Sequence, residues 1–206
     1  MQRYSWHLLG LCEIRWTNFG ETTTEEGHLL FYSSEPGRHM YGVGLLVHRD
    51  IKASVLGCRP ISSRLITIRL KQTPFNITVI QAYAPTSKHS DEEVEDFYTQ
   101  VQDANDKAPK KDIFILQGDL NAKVGKDAQK DWKDSCGTSC NRETNTLGNH
   151  KTSRKWTWHH PDKIRHSQVD YIMMPRHFKS GNKEGSTCTF PGADIGSDHD
   201  LVMMNY

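Results

Sequence analysis

The feature that most constrains this chain is a succession of short, β-branched apolar runs, several of which close on a polar residue. Gly42–Val47, Leu65–Leu70, Asn76–Tyr83, Ile113–Leu116 and Val169–Met174 have the composition and length of strands. Glu13 follows the apolar stretch Leu8–Cys12, Tyr83 ends its run, Asp119 and Asn121 follow Leu116, and Asp170 interrupts an otherwise apolar segment. Polar side chains at strand ends sit on a rigid scaffold while facing a cleft, as a site for a metal and a phosphate requires. One helix is expected between the strands, from Ser90 to about Ala108. Ser90 caps it, Glu93 stands three residues on as in a capping box, and Val94, Phe97, Tyr98, Val101 and Ala104 form an apolar stripe that Pro109 ends. Strands on both sides of a helix that hands directly to another strand predict an α/β fold.

The motifs sharpen this into chemistry. In Gly118-Asp119-Leu120-Asn121, residues two apart in an extended segment face the same way, so Asp119 and Asn121 are expected to share a cleft. The carboxylate suits taking a proton from an attacking water, and the neutral amide suits donating to a phosphate oxygen. In Ser197-Asp198-His199, the acid can turn toward a metal and the imidazolium toward the charge of a transferring phosphoryl group. Asp170 could orient His199, or be satisfied by backbone. A hard ion of the Mg²⁺ class needs only one or two carboxylates besides water and phosphate, which Glu13 and Asp198 can provide.

In this order, the segments around Glu13, Gln81-Ala82-Tyr83-Ala84-Pro85, the Gly-Asp-Leu-Asn motif, Gln168-Val169-Asp170-Tyr171 and Ser197-Asp198-His199 resemble the endonuclease/exonuclease/phosphatase superfamily. Within it, the chain resembles the endonuclease domains of RTE-type non-LTR retrotransposons, with Pro191–Asp200 especially close. The resemblance spans essentially the whole chain. It implies a four-layer α/β sandwich with two mixed, mainly antiparallel sheets. It implies Glu13 and Asp198 at the metal, Tyr83 near the scissile phosphate, Asp119 on the water, Asn121 on the phosphate, and Asp170 orienting His199. The cofactor would be Mg²⁺, or Mn²⁺, and the reaction the nicking of DNA.

Family members begin one strand earlier, with an Asn that joins Glu at the metal, and carry a helix and strand before the segment Thr146-Leu147-Gly148. The expectation is therefore a single domain over residues 1–206, truncated at its N-terminus and lacking that internal unit. The competing expectation is an impaired remnant that keeps the site residues without assembling them. A phosphatase acting on lipid or inositol phosphates is a third.

Substrate recognition falls to Arg154-Lys155-Trp156-Thr157-Trp158, where cations alternate with indoles that could stack on bases or wedge a groove. Arg154, Lys155 and Trp158 are the candidates, although one Trp in the core and solvated cations would read the same way. Arg64 resembles a position near the family's DNA cleft and equally suits a surface arginine. A net charge of +1 leaves DNA binding to such a local patch. His159, His160 and His166 show no zinc-ligand spacing, and Cys136-x₃-Cys140 lacks a second pair. Five scattered cysteines point to a reducing compartment, and no apolar run reaches the ~20 residues that span a bilayer. DNA as partner places the protein in the nucleus; no oligomeric state is assigned.

Overall fold

The computed structural model describes residues 5–121, 143–145, 156–162, 164–175, 187–190 and 197–204. Their order is β1 (Leu8–Cys12), β2 (Phe19–Thr23), β3 (Leu29–Ser33), β4 (Val43–Val47), a 3₁₀ turn (Arg49–Ser54), β5 (Val55–Ser62), β6 (Leu65–Leu70), β7 (Ile77–Tyr83), α1 (Asp91–Lys107), β8 (Ile113–Asp119), β9 (Glu143–Asn145), β10 (Trp158–His159), β11 (His166–Ser167), β12 (Asp170–Pro175), β13 (Thr187–Phe190) and β14 (Leu201–Met204). The expected α/β class is what the chain adopts. It forms two compact units, Met1–Gly118 and Asp119–Tyr206.

The first unit packs two sheets face to face. One is antiparallel, in the order β1-β4-β3-β2, and the other runs β5-β6-β7-β8. Alternation puts Val43, Leu45 and Val47 on one face of β4 and Ile66, Ile68 and Leu70 on one face of β6, and all six are buried. Burying each such side chain contributes roughly 1.5–3 kcal/mol, so this layer is the unit's main source of stability. The helix forms as its sequence dictates. Ser90 Oγ accepts from Glu93 N at 3.3 Å, Ser90 N donates to Glu93 Oε2 at 2.9 Å, and Phe97, Val101 and Ala104 are buried along one stripe. One charge sits inside: Asp112, almost wholly buried, accepts from Arg69 Nε at 2.6 Å, Arg69 Nη2 at 2.9 Å and Thr78 Oγ1 at 2.8 Å.

In the second unit β12 pairs antiparallel with β9, β13 with β14, and β10 with β11. Tyr171, Ile172, Met173 and Met174 are buried, so Asp170 is the one charged residue at the mouth of an apolar strand. The expected missing unit before Thr146 falls outside the described residues.

Candidate active site

The structure assembles two groups of the candidate side chains, one in each unit. In the first, β1 ends at Cys12 and the next residue, Glu13, takes a left-handed φ of 58°. L-residues enter that region at a cost, which surrounding contacts must supply. Here Tyr83 Oη donates to Glu13 Oε1 at 3.1 Å, and Arg15 Nη2 stands 3.3 Å from Glu13 Oε2. A polar ladder beneath fixes the strands: Gln117 Nε2 donates to Gln81 Oε1 at 3.1 Å, and Gln81 Nε2 reaches Cys12 Sγ at 3.2 Å. Gly10 makes room for it, since a Cβ there would fall 1.8 Å from Gln81 Oε1.

Arg64 is committed within this group. Its guanidinium lies 3.8 Å from the centre of the Tyr41 ring, Nη1 donates to Tyr83 O at 3.3 Å, and Nη2 donates to His89 Nε2 at 2.9 Å. Because a guanidinium only donates, His89 presents a lone pair at Nε2, to which Tyr41 Oη also comes within 3.2 Å. Tyr41 itself has φ 61°. Tyr41, His89 and Arg15 carry no motif, so sequence reasoning passed over them; the clamp on Tyr83 exists only in three dimensions.

In the second unit Asp119, 5% exposed, closes β8. Gly118 before it has φ 136°, and any Cβ would fall 1.9 Å from Ala82 O, so only glycine can deliver the strand end. The expected extended pairing of Asp119 with Asn121 is not how the two meet. The strand stops at Asp119 and Asn121 is left-handed, φ 48°, because its N–H turns back to donate to Asp119 Oδ1 at 2.8 Å.

Asp170 and His199 meet: His199 Nδ1 donates to Asp170 Oδ2 at 2.9 Å. Partial burial alone would lower the imidazole's pKa. The hydrogen bond and charge of Asp170, with Asp119 and Asp198, outweigh it and hold the value at about 9. Asp170 is placed by Thr157, wholly buried, whose Oγ1 accepts from both Val169 N and Asp170 N at 3.0 Å. Thr157 lies between the two tryptophans that drew notice in the sequence.

Asp198 accepts from Trp158 Nε1 at 2.9 Å. Trp158 therefore spends its one polar group on the acid instead of standing wholly free. Ser197 Oγ accepts from His199 N at 3.0 Å. The backbone joins the segments, with His159 N donating to Asp198 O at 2.9 Å and Asp200 N to Thr157 O at 2.8 Å. Arg154 and Lys155 fall outside the described residues.

Atoms of Asp119, Asp170 and His199 lie within 4.8 Å of one another, close enough to surround an ion. His199 Nδ1 is already engaged by Asp170, and an imidazolium has no lone pair to offer an ion. Carboxylate oxygens, such as those of Asp119 and Asp170 in this group, are the donor type that a hard divalent ion takes.

The Endonuclease/Exonuclease/phosphatase family model matches residues 1–199. Craniofacial development protein 2 of Bos taurus is 33% identical over 222 residues, covering 100% of this chain but 37% of the relative, so the chain spans little more than a third of that protein. Among solved structures, the AP endonuclease LMAP from Leishmania major superposes with a TM-score of 0.68 at 12% identity, over 97% of this chain and 79% of that one. D. rerio TDP2 complexed with single strand DNA product gives 0.50 at 15% identity, over 72% and 62%. At such identities the likeness is one of fold, and it agrees with the expected sandwich of mixed sheets.

Proposed function

Because this chain belongs to the endonuclease/exonuclease/phosphatase family, we propose that it is a divalent-metal-dependent phosphodiesterase that nicks DNA and descends from a retrotransposon endonuclease. The observation that carries the reading is the His199 imidazole held by Asp170 beside the buried carboxylate of Asp119, with Asp170 raising the ring's pKa. A carboxylate that can take a proton from water, next to an imidazole that can offer a hydrogen to the phosphoryl group, is what hydrolysis of a phosphodiester needs.

Asp119 takes the proton of the water whose oxygen attacks phosphorus, and the bond to the leaving deoxyribose oxygen breaks. Asn121 donates to a non-bridging oxygen. His199 offers its Nε2–H to the charge that develops on the phosphoryl group, while Asp170 fixes its ring. Tyr83, kept in place by Arg64, stands near the scissile phosphate. Glu13 and Asp198 would hold Mg²⁺, or Mn²⁺, which supplies Lewis acidity to the phosphoryl oxygens. Arg154 and Lys155 neutralise flanking phosphates, and the ring of Trp158 adds an apolar surface for the strand. No helix among the described residues is long and apolar enough to cross a membrane, and DNA as substrate implies work in the nucleus.

The test is nicking of supercoiled plasmid in Mg²⁺, with EDTA and with Asp119→Ala and His199→Ala beside the unaltered chain. Activity lost with EDTA and in both variants supports the reading. Equal nicking by all three proteins overturns it, as does a well-folded chain that never nicks, which is the outcome of an inactive remnant.

A further inference from the structure

We infer that His159 and His166 form a two-imidazole site for a divalent transition ion of the Zn²⁺ class, separate from the phosphodiesterase residues. The sequence hides it, because seven residues is no zinc-ligand spacing. The hairpin supplies what the spacing lacks. His159 and His166 are register partners across β10 and β11, so their side chains leave the same face directly opposite one another. Their Nδ1 atoms converge to 2.8 Å, with ring centres 4.7 Å apart.

Asp200 decides what that approach means. Its Oδ2 lies 2.9 Å from His159 Nε2, and a carboxylate only accepts, so Nε2 carries a hydrogen and in the neutral ring the lone pair is on Nδ1. That lone pair points at His166 Nδ1, so one shared hydrogen bridges the two nitrogens in the metal-free protein. Replacing that one proton with a metal ion joins two aimed nitrogens. A ligating histidine whose other ring nitrogen donates to a carboxylate is the usual arrangement of a zinc site, and here it stands already built. Tetrahedral coordination at about 2.0–2.1 Å places two nitrogens roughly 3.3 Å apart, so the rings must part by about half an ångström. The exposed His166 can give by that much. Water would complete the shell.

Neighbouring charge does not oppose the ion. Arg165 is turned to Asp162, at 2.6 Å from Nε to Oδ2, and to His160, at 3.0 Å from Nη2 to Nε2. Nitrogen donors select Zn²⁺ or Cu²⁺ over Mg²⁺, so the ion of this pair and the ion of the carboxylates do not compete for one site. The inference does not rest on the proposed nuclease activity.

Isothermal titration of the purified chain with ZnCl₂ in excess Mg²⁺ tests it, with His166→Ala, His166→Gln and Asp200→Asn beside the unaltered protein and Asp119→Ala to isolate the carboxylates. The expected result is a Zn²⁺ event that survives Asp119→Ala, disappears in both His166 variants and weakens at least about tenfold in Asp200→Asn. Circular dichroism melts without metal check that each variant is folded. With Cu²⁺ as probe, the electron paramagnetic resonance spectrum should carry coupling to two nitrogens, reduced to one in His166→Gln. Zn²⁺ binding unchanged in the folded His166 variants overturns the site, and so does no binding by the unaltered chain.

Discussion

Asp170 Oδ2 accepts from His199 Nδ1 at 2.9 Å, and this bond, with the charges of Asp170, Asp119 and Asp198, raises the imidazole's pKa despite partial burial. His199 has an ordinary value of 6.5 and a folded value of about 9. A value raised on folding contributes stability that is complete below 6.5 and lost as pH climbs toward 9. After allowance for its partial exposure the contribution is of order 2 kcal/mol. Urea denaturation at about pH 6 and about pH 9.5 should differ by this amount in the unaltered chain and by much less in Asp170→Asn. If nicking needs the imidazolium, its rate should also fall above pH ~9, and Asp170→Asn should move that limb toward neutrality.

Gly118→Ala should be among the most damaging single methyl additions. The residue would have to hold φ 136° with its Cβ 1.9 Å from Ala82 O, a backbone atom that cannot swing away. A loss of about 3 kcal/mol or more, with Asp119 displaced, is the expected result, read as a lower thermal midpoint. Gly57→Ala, where nothing lies within 4 Å of the added carbon, is the control and should change the midpoint little.

Arg69→Ala tests the buried ion pair. Asp112 has a side chain only 3% exposed and would be left with Thr78 alone, whereas Arg69 is 40% exposed and loses little by hydration. An uncompensated buried carboxylate costs roughly 3–5 kcal/mol. Asp112 should then take up a proton more readily, so the deficit should shrink as pH falls, because the arginine's hydrogen bonds now hold its carboxyl below the usual range. Chemical denaturation of Arg69→Ala against pH measures both effects.

What could be seen in the sequence was what is local. The Ser90–Glu93 capping box and the stripe of Phe97, Val101 and Ala104 lie within a few residues of each other, and the helix forms as expected. The strand from Leu65 was legible from its alternation, and the one from Asn76, buried on both faces, from its β-branched composition. The meeting of Asp170 with His199 was expected from the family's motif order, since nothing local joins residues 29 apart. Left-handed Glu13 and Asn121 were not legible, because a strand end announces a turn and not its handedness. Tyr41 and Thr157 escaped notice for another reason: each acts through a residue distant in the chain, Tyr41 on Arg64 and Thr157 on the Asp170 amide.

Trp158 separates two ways of serving the site. Its indole N–H donates to Asp198 Oδ2 at 2.9 Å, so it orients a carboxylate assigned to the metal; its ring also offers a surface to DNA. Trp158→Phe keeps an aromatic face and deletes the donor. If orientation of Asp198 is the main role, half-maximal nicking should need roughly tenfold more Mg²⁺, as when an outer-shell partner of a ligand is lost, with the DNA concentration dependence nearly unchanged. Trp158→Leu should then resemble Trp158→Phe. If stacking is the main role, Trp158→Phe should stay close to the unaltered chain in Mg²⁺ dependence, and Trp158→Leu should raise KM for DNA. Mg²⁺ and plasmid titrations of the two variants, run side by side, decide between an orienting donor and a DNA-contacting ring.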